Sequence, residues 1–129
     1  MGYGVLGPLL NYLASAAVIG WGAAHILPSR ETARSLGAVA LDSRRVMELE
    51  WVAEGLALVF IGLSTFVLTL AAEPSEPVAV LVYRMNAAAL IVFAVWHSFA
   101  GSKTRLVPDK LCPVVLTAAA ALIVAATLV

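Results

Sequence analysis

The sequence predicts an all-α integral membrane protein, a four-helix bundle with both termini on the non-cytoplasmic side. Three observations predict it. Of the 129 residues, 62% are hydrophobic and only 12% are charged, where a soluble domain carries about 25% charged residues. So small a chain leaves much of its surface uncovered, and lipid is the natural solvent for the apolar excess. Second, the apolar residues fall into four runs, Pro8 to Leu27, Trp51 to Ala72, Val78 to Ala100 and Leu111 to Val129. Each is close to the ~20 residues that a helix needs to cross the hydrocarbon. Third, nearly all Lys and Arg side chains gather in two loops that such a topology puts on one side.

The elements follow in order, within a single domain spanning 1–129. Helices are required because lipid cannot satisfy an open backbone. The first span, about 8–27, has no charged side chain before it. It therefore lacks the basic region of a cleaved signal peptide and reads as a retained helix; Pro28 and Ser29 end it. Asp42 or Ser43 is placed to cap a helix that begins in water near Arg44 and continues into the second span, about 46–72. The segment Glu73, Pro74, Ser75, Glu76, Pro77 separates this span from the third, about 78–100, which Gly101 closes. The fourth, about 111–129, reaches the last residue and leaves no soluble tail. Small residues at Ala16, Gly20 and Ala24 on the first helix, and at Gly55 and Gly62 on the second, mark faces where backbones approach closely.

Charge sets the orientation. One loop carries Arg30, Arg34, Arg44 and Arg45, and another carries Lys103, Arg105 and Lys110. The opposite side offers only Glu73 and Glu76 in its loop. By the positive-inside rule both basic loops are cytoplasmic, and seven of the eight basic side chains agree, Arg84 being the exception. The net charge of zero provides no basic stripe for nucleic acid. Cys112 is the single cysteine, which excludes an internal disulfide and a thiolate cluster. Abundant Ala, Val and Leu fit a bacterial inner membrane and a multi-pass protein of the cell membrane.

Ionisable groups inside spans cost at least about 2.5 kcal/mol each at the helix centre, so each needs a reason. His25 and His97 lie near the cytoplasmic ends of the first and third helices, at the depth of Glu50 and Glu54 on the second. Trp21 shares a face with His25, and Glu50 with Glu54. Asn86 shares a face with His97, and Asn11 with His25. Convergence on Glu54 is the simplest packing. The bland readings stand beside this one: snorkelling histidines, an interfacial Glu50 paired with Arg44 or Arg45, and Asn86 as interhelical glue. Arg84, about two turns in from the outer surface, either snorkels and pairs with Glu73 or Glu76, or holds an anion or headgroup. Ligand-binding candidates are thus His25, Glu54, His97, Trp21, Glu50, Asn86 and Arg84. Setting His25 on His97 also aligns Trp21 with Phe93 and Thr32 with Thr104, a pattern that either a parallel two-helix repeat or chance among Ala-rich spans produces.

The stretch Glu54-Gly-Leu-Ala-Leu-Val-Phe-Ile-Gly62-Leu resembles the second helix of the DoxX-like family of small four-helix bacterial membrane proteins. Gly20-Trp-Gly-Ala-Ala-His25 followed by Pro28 is similar to the end of that family's first helix. The resemblance covers the first half of the chain; the third and fourth spans match less well. It implies a lipid- or quinone-facing bundle with Glu54 and His25 as polar residues, in a family linked to quinone-associated oxidation and redox homeostasis.

Several function classes remain open. The first is a module that binds a hydrophobic small molecule such as a quinone or lipid, or assists a larger membrane complex. The second is a lipid-phase acid/base enzyme, an isomerase or quinone-linked oxidoreductase, with Glu54, His25 and His97 as its catalytic candidates. The third is a haem or metal site on the same residues, although no ligand motif such as His-x-x-x-His occurs and no metal ligand is assigned. Proton-coupled transport completes the set and requires a homo-oligomer to enclose a pathway. The spacing names no cofactor.

Overall fold

The computed structural model describes the backbone of residues 3–35, 37–73 and 75–129, and all of their side chains but those of Tyr3 and Ser102. Five α-helices and no strand occur among the described residues: α1 (Tyr3–Ile26), α2 (Ser29–Ser35), α3 (Leu41–Ala71), α4 (Pro77–Ala100) and α5 (Val107–Ala126). A turn of 3-10 helix, Gly101–Lys103, joins α4 to α5. Four of the helices are long and apolar enough to cross a membrane, as in a multi-pass membrane protein.

Local chemistry explains most of the boundaries. Pro77 stands in the first turn of α4 and Pro108 in that of α5, where a missing N–H costs nothing. Pro74 of the 73–77 separator lies outside the described residues. Helix α1 starts five residues before Pro8 and runs through it, because one lost backbone bond near a helix end does not break a helix held by its neighbours. Helix α3 begins at Leu41 behind Ala40, with no side-chain cap. Asp42 therefore sits inside the first turn, where its charge favours the helix N-terminus, and neither it nor Ser43 is the cap expected from sequence. Between α2 and α3, Gly37 takes a φ of 81°, a left-handed turn that suits a residue without Cβ.

The packing is a ring. Helix α1 lies between α3 and α5, α5 lies between α1 and α4, and α3 meets α4 least closely. Its centre is built from small and aliphatic side chains, among them Ala14, Val18, Leu58, Ala87, Leu90 and Leu116. Large apolar side chains such as Phe60, Leu70, Met85, Val92 and Phe99 are exposed on the outer surface. This inside-out distribution is what a lipid-facing surface needs and what water would penalise.

The α1–α3 contact is backbone on backbone. A Cβ placed on Gly22 would lie 2.7 Å from the Gly55 carbonyl oxygen, and one placed on Gly55 would lie 2.7 Å from that of Gly22. Farther along, a Cβ on Gly62 would meet Ile19 Cγ1 at 2.6 Å. Gly55 and Gly62 thus mark a close approach, as their spacing suggested. The stripe of Ala16, Gly20 and Ala24 does not: all three are exposed, and nothing lies within 4 Å of a Cβ on Gly20. The approaching face of α1 is turned away from that stripe, toward Ser15, Ile19 and Gly22.

Candidate functional site

One end of the ring, the end of the two basic loops, gathers the ionisable side chains. His25 comes from the last turn of α1 and His97 from the last turn of α4. Glu54 projects from α3 and Cys112 from the second turn of α5. Each long helix therefore contributes one such group. They meet because α1 and α4 end at the level where α5 begins and which α3 passes in its fourth turn.

Glu54 Oε1 is the centre. His97 Nε2–H donates to it at 2.5 Å, and His25 Nε2 lies 3.9 Å from the same oxygen. His25 is 2% exposed. Its Nδ1–H donates to the Trp21 carbonyl at 2.9 Å, which fixes the ring and turns Nε2 toward Glu54. That Nε2 is buried and has no hydrogen-bond partner. The ring is held by tilted contacts to Trp21 and Trp51, with centroids 5.7 Å and 5.4 Å away, and its edge faces His97. The fully buried Cys112 thiol lies beside both imidazoles and Trp21.

A cavity of about 730 Å³ opens next to this cluster. Glu54 and His97 belong to its wall, together with Met47, Trp51, Phe93 and Trp96. The remainder of its lining comes from Ser29 and Ala33 of α2, from Glu50, and from the α4–α5 turn with Thr104, Arg105 and Asp109. Asp109 is buried and its carboxylate accepts from the Thr104 hydroxyl at 3.0 Å. The turn itself is tight, since a Cβ on Gly101 would lie 2.8 Å from the Asp109 carbonyl oxygen. Pro113 has no N–H to offer that carbonyl, which leaves it on the outside of α5 facing Gly101.

The seven residues singled out from sequence divide accordingly. Glu50, Glu54 and His97 line the cavity. His25 and Trp21 lie behind the Glu54–His97 pair, in contact with each other and with Cys112. Asn86 is placed elsewhere, on the α3–α4 interface, where its amide donates to the Ser64 and Thr65 hydroxyls, each at 2.9 Å. Both hydroxyls in turn donate to the Ile61 carbonyl, so the group is closed on itself. Arg84 is exposed and far along α4 from the cluster. Neither Arg84 nor Glu50 forms an ion pair among the described residues. Asn11 is buried on α1 beside the core, more than three turns from His25, with its Oδ1 unpartnered.

Sequence reasoning missed Cys112, Trp51 and the aromatic wall. Trp51 had a signal: it precedes Glu54 by three positions and so shares its face. Cys112 had a weaker one, in that the start of α5 must return to the depth at which α4 ends. Chemically, the site combines a hydrogen-bonded carboxylate–imidazole pair, a second imidazole whose Nε2 makes no hydrogen bond, a thiol and an apolar chamber. No family model, curated protein or solved structure matches the chain.

Proposed function

We propose that this chain spans the cell membrane four times, as a four-helix bundle with both termini on the non-cytoplasmic side, and binds a hydrophobic small molecule, a quinone or a lipid, in the cavity beside Glu54 and His97. The observation that carries this reading is the cavity wall. Trp51, Phe93, Trp96 and Met47 offer apolar area to a ring or a chain, while the Glu54–His97 pair offers one donor–acceptor group at a single point. That is the composition of a small-molecule pocket, apolar with a few convergent polar groups. Orientation follows from the basic loops, since Arg30, Arg34, Lys103 and Arg105 flank the cavity end. The likeness of the first two spans to the DoxX-like family supports a quinone as the head group, as does a carboxylate–imidazole pair suited to bonding a carbonyl.

The test uses the cavity's own fluorophores. In lipid nanodiscs, titration with a decyl-substituted benzoquinone should quench tryptophan emission saturably, and Glu54→Gln should weaken the binding about tenfold, the loss of one hydrogen bond to a charged group. Quenching that rises linearly without saturation, and equally in both proteins, is partition into lipid and would overturn the reading. A second reading, acid/base catalysis, is favoured by the same pair facing the chamber, because an imidazole and a carboxylate in contact can pass a proton to a bound carbonyl. Turnover of a bound quinone with a reductant, abolished in Glu54→Gln at saturating quinone, would separate it from binding alone.

A further inference from the structure

At and behind the cavity wall, three buried or half-buried donors from three helices converge, one of them, His25 Nε2, with no hydrogen-bond partner. His25 Nε2, a Glu54 carboxylate oxygen and Cys112 Sγ all lie within 4.8 Å of one another. We propose that they form a binding site for one transition-metal dication of the Zn2+ type, with His97 as the outer partner that holds Glu54. This site shares Glu54 with the cavity wall but is read out without any cavity ligand.

The His25 ring is the first argument. Its Nδ1–H is committed to the Trp21 carbonyl, and its buried Nε2 faces a carboxylate oxygen at 3.9 Å with no hydrogen bond made. The gap is too long for a hydrogen bond and wide enough for one ion to bond both atoms. Metal-ligating histidines are oriented in this way, with the second nitrogen donating to a carbonyl. The tilted contacts of Trp21 and Trp51 hold the ring in that position.

Distances and charge agree. Ligand bonds of about 2.0–2.3 Å in a tetrahedral site put neighbouring donors roughly 3.3–3.8 Å apart. The His25–Glu54 separation is already close to that, and Cys112 needs a movement on the order of 1 Å, within reach of side-chain rotation. His97 is different: at 2.5 Å from Glu54 Oε1 it is too near to share an ion with that oxygen, and it serves as the hydrogen-bond donor that orients the carboxylate. Binding displaces the thiol proton and any proton on His25 Nε2, so that the dication meets one carboxylate, one thiolate and a neutral imidazole. The loaded cluster is then neutral, the condition under which charge is tolerated in an apolar interior. A donor set of imidazole, thiolate and carboxylate selects Zn2+ and its neighbours over Mg2+ or Ca2+. Three protein donors leave a fourth position, and Glu54 is shared between the cluster and the cavity wall.

The full chain in nanodiscs, stripped with a chelator, is titrated with Co2+ as an optical probe. The expected result is a near-ultraviolet thiolate-to-cobalt charge-transfer band with strong visible bands of a tetrahedral ion, saturating at one Co2+ per chain and reversed by Zn2+. Cys112 is the single cysteine, so Cys112→Ser must lose the near-ultraviolet band. His97→Ala should keep the band and bind about 10–100-fold more weakly, as loss of an outer partner does. Alkylation of Cys112 in the unaltered protein should be slowed by Zn2+, a readout that needs no variant to fold. Absence of the band at saturating Co2+, its persistence in Cys112→Ser, or alkylation indifferent to Zn2+ would each overturn the site. None of these readouts depends on quinone quenching, so the two proposals fail separately.

Discussion

Helix α3 makes two interfaces of opposite kind. On one face, Gly55 and Gly62 let α1 come so near that a single added carbon would strike backbone. On the other, α3 and α4 stand apart and are joined by side chains at three levels: Glu54 with His97, Ser64 and Thr65 with Asn86, and Thr69 with Tyr83. At the last level the Thr69 hydroxyl already donates to the Thr65 carbonyl, so the Tyr83 phenol is the donor between them. The levels follow one antiparallel register. Glycine contact closes space by removing side chains, whereas polar bridges hold two helices at the length of the bridge. The chamber lies beside the bridged interface, where the two helices are held apart.

The largest expected effect breaks the close interface. In Gly55→Ala the new carbon meets Ile26 Cγ1 at 2.5 Å and the Gly22 carbonyl oxygen at 2.7 Å; overpacking of this kind costs about 1–3 kcal/mol, and more where backbone cannot yield. Thermal unfolding in mild detergent checks it, with Gly20→Ala, which meets nothing, expected to stay within about 0.5 kcal/mol of the parent.

The bridged interface should respond less, and by level. His97→Ala strips the donor from a carboxylate that is 17% exposed, at a cost of about 1–3 kcal/mol. Glu54→Gln keeps a carbonyl for His97 to bond and should lose less; a reversed order in unfolding midpoints would mean that the carboxylate charge opposes the fold. Asn86→Ala is the smallest, at about 0.6–2 kcal/mol. Since Asn86 is remote from the cavity, its loss should leave quinone quenching unchanged while lowering the midpoint.

The long helices were legible in the sequence because crossing lipid demands long apolar runs, and no interior detail is needed to see them. Helix α2 was not, since the seven residues from Ser29 to Ser35, six of them polar, show no apolar run; it forms where buried Ser29 and Ala33 find the start of α3. The meeting of His25, Glu54 and His97 could be read from depth and face alone. The approach of Gly22 to Gly55 could not, because spacing shows which residues share a face and not which faces become partners. The stripe at Ala16, Gly20 and Ala24 fails for the same reason. Cys112 was passed over because a buried thiol among Leu111, Pro113 and Val114 reads as a small apolar side chain.

Helix α3 has 31 residues, roughly 46 Å at a 1.5 Å rise per residue, against about 30 Å of hydrocarbon. Its first turns carry Arg44, Arg45 and Glu48, charged side chains that favour the headgroup region over the acyl chains. The quinone or lipid proposed for the cavity beside Glu54 would then keep its tail among lipid chains throughout. Supply is then a matter of two-dimensional partitioning: occupancy tracks the mole fraction of ligand in the bilayer. Adding empty lipid should deplete the site, while diluting the same vesicles in buffer should leave it filled.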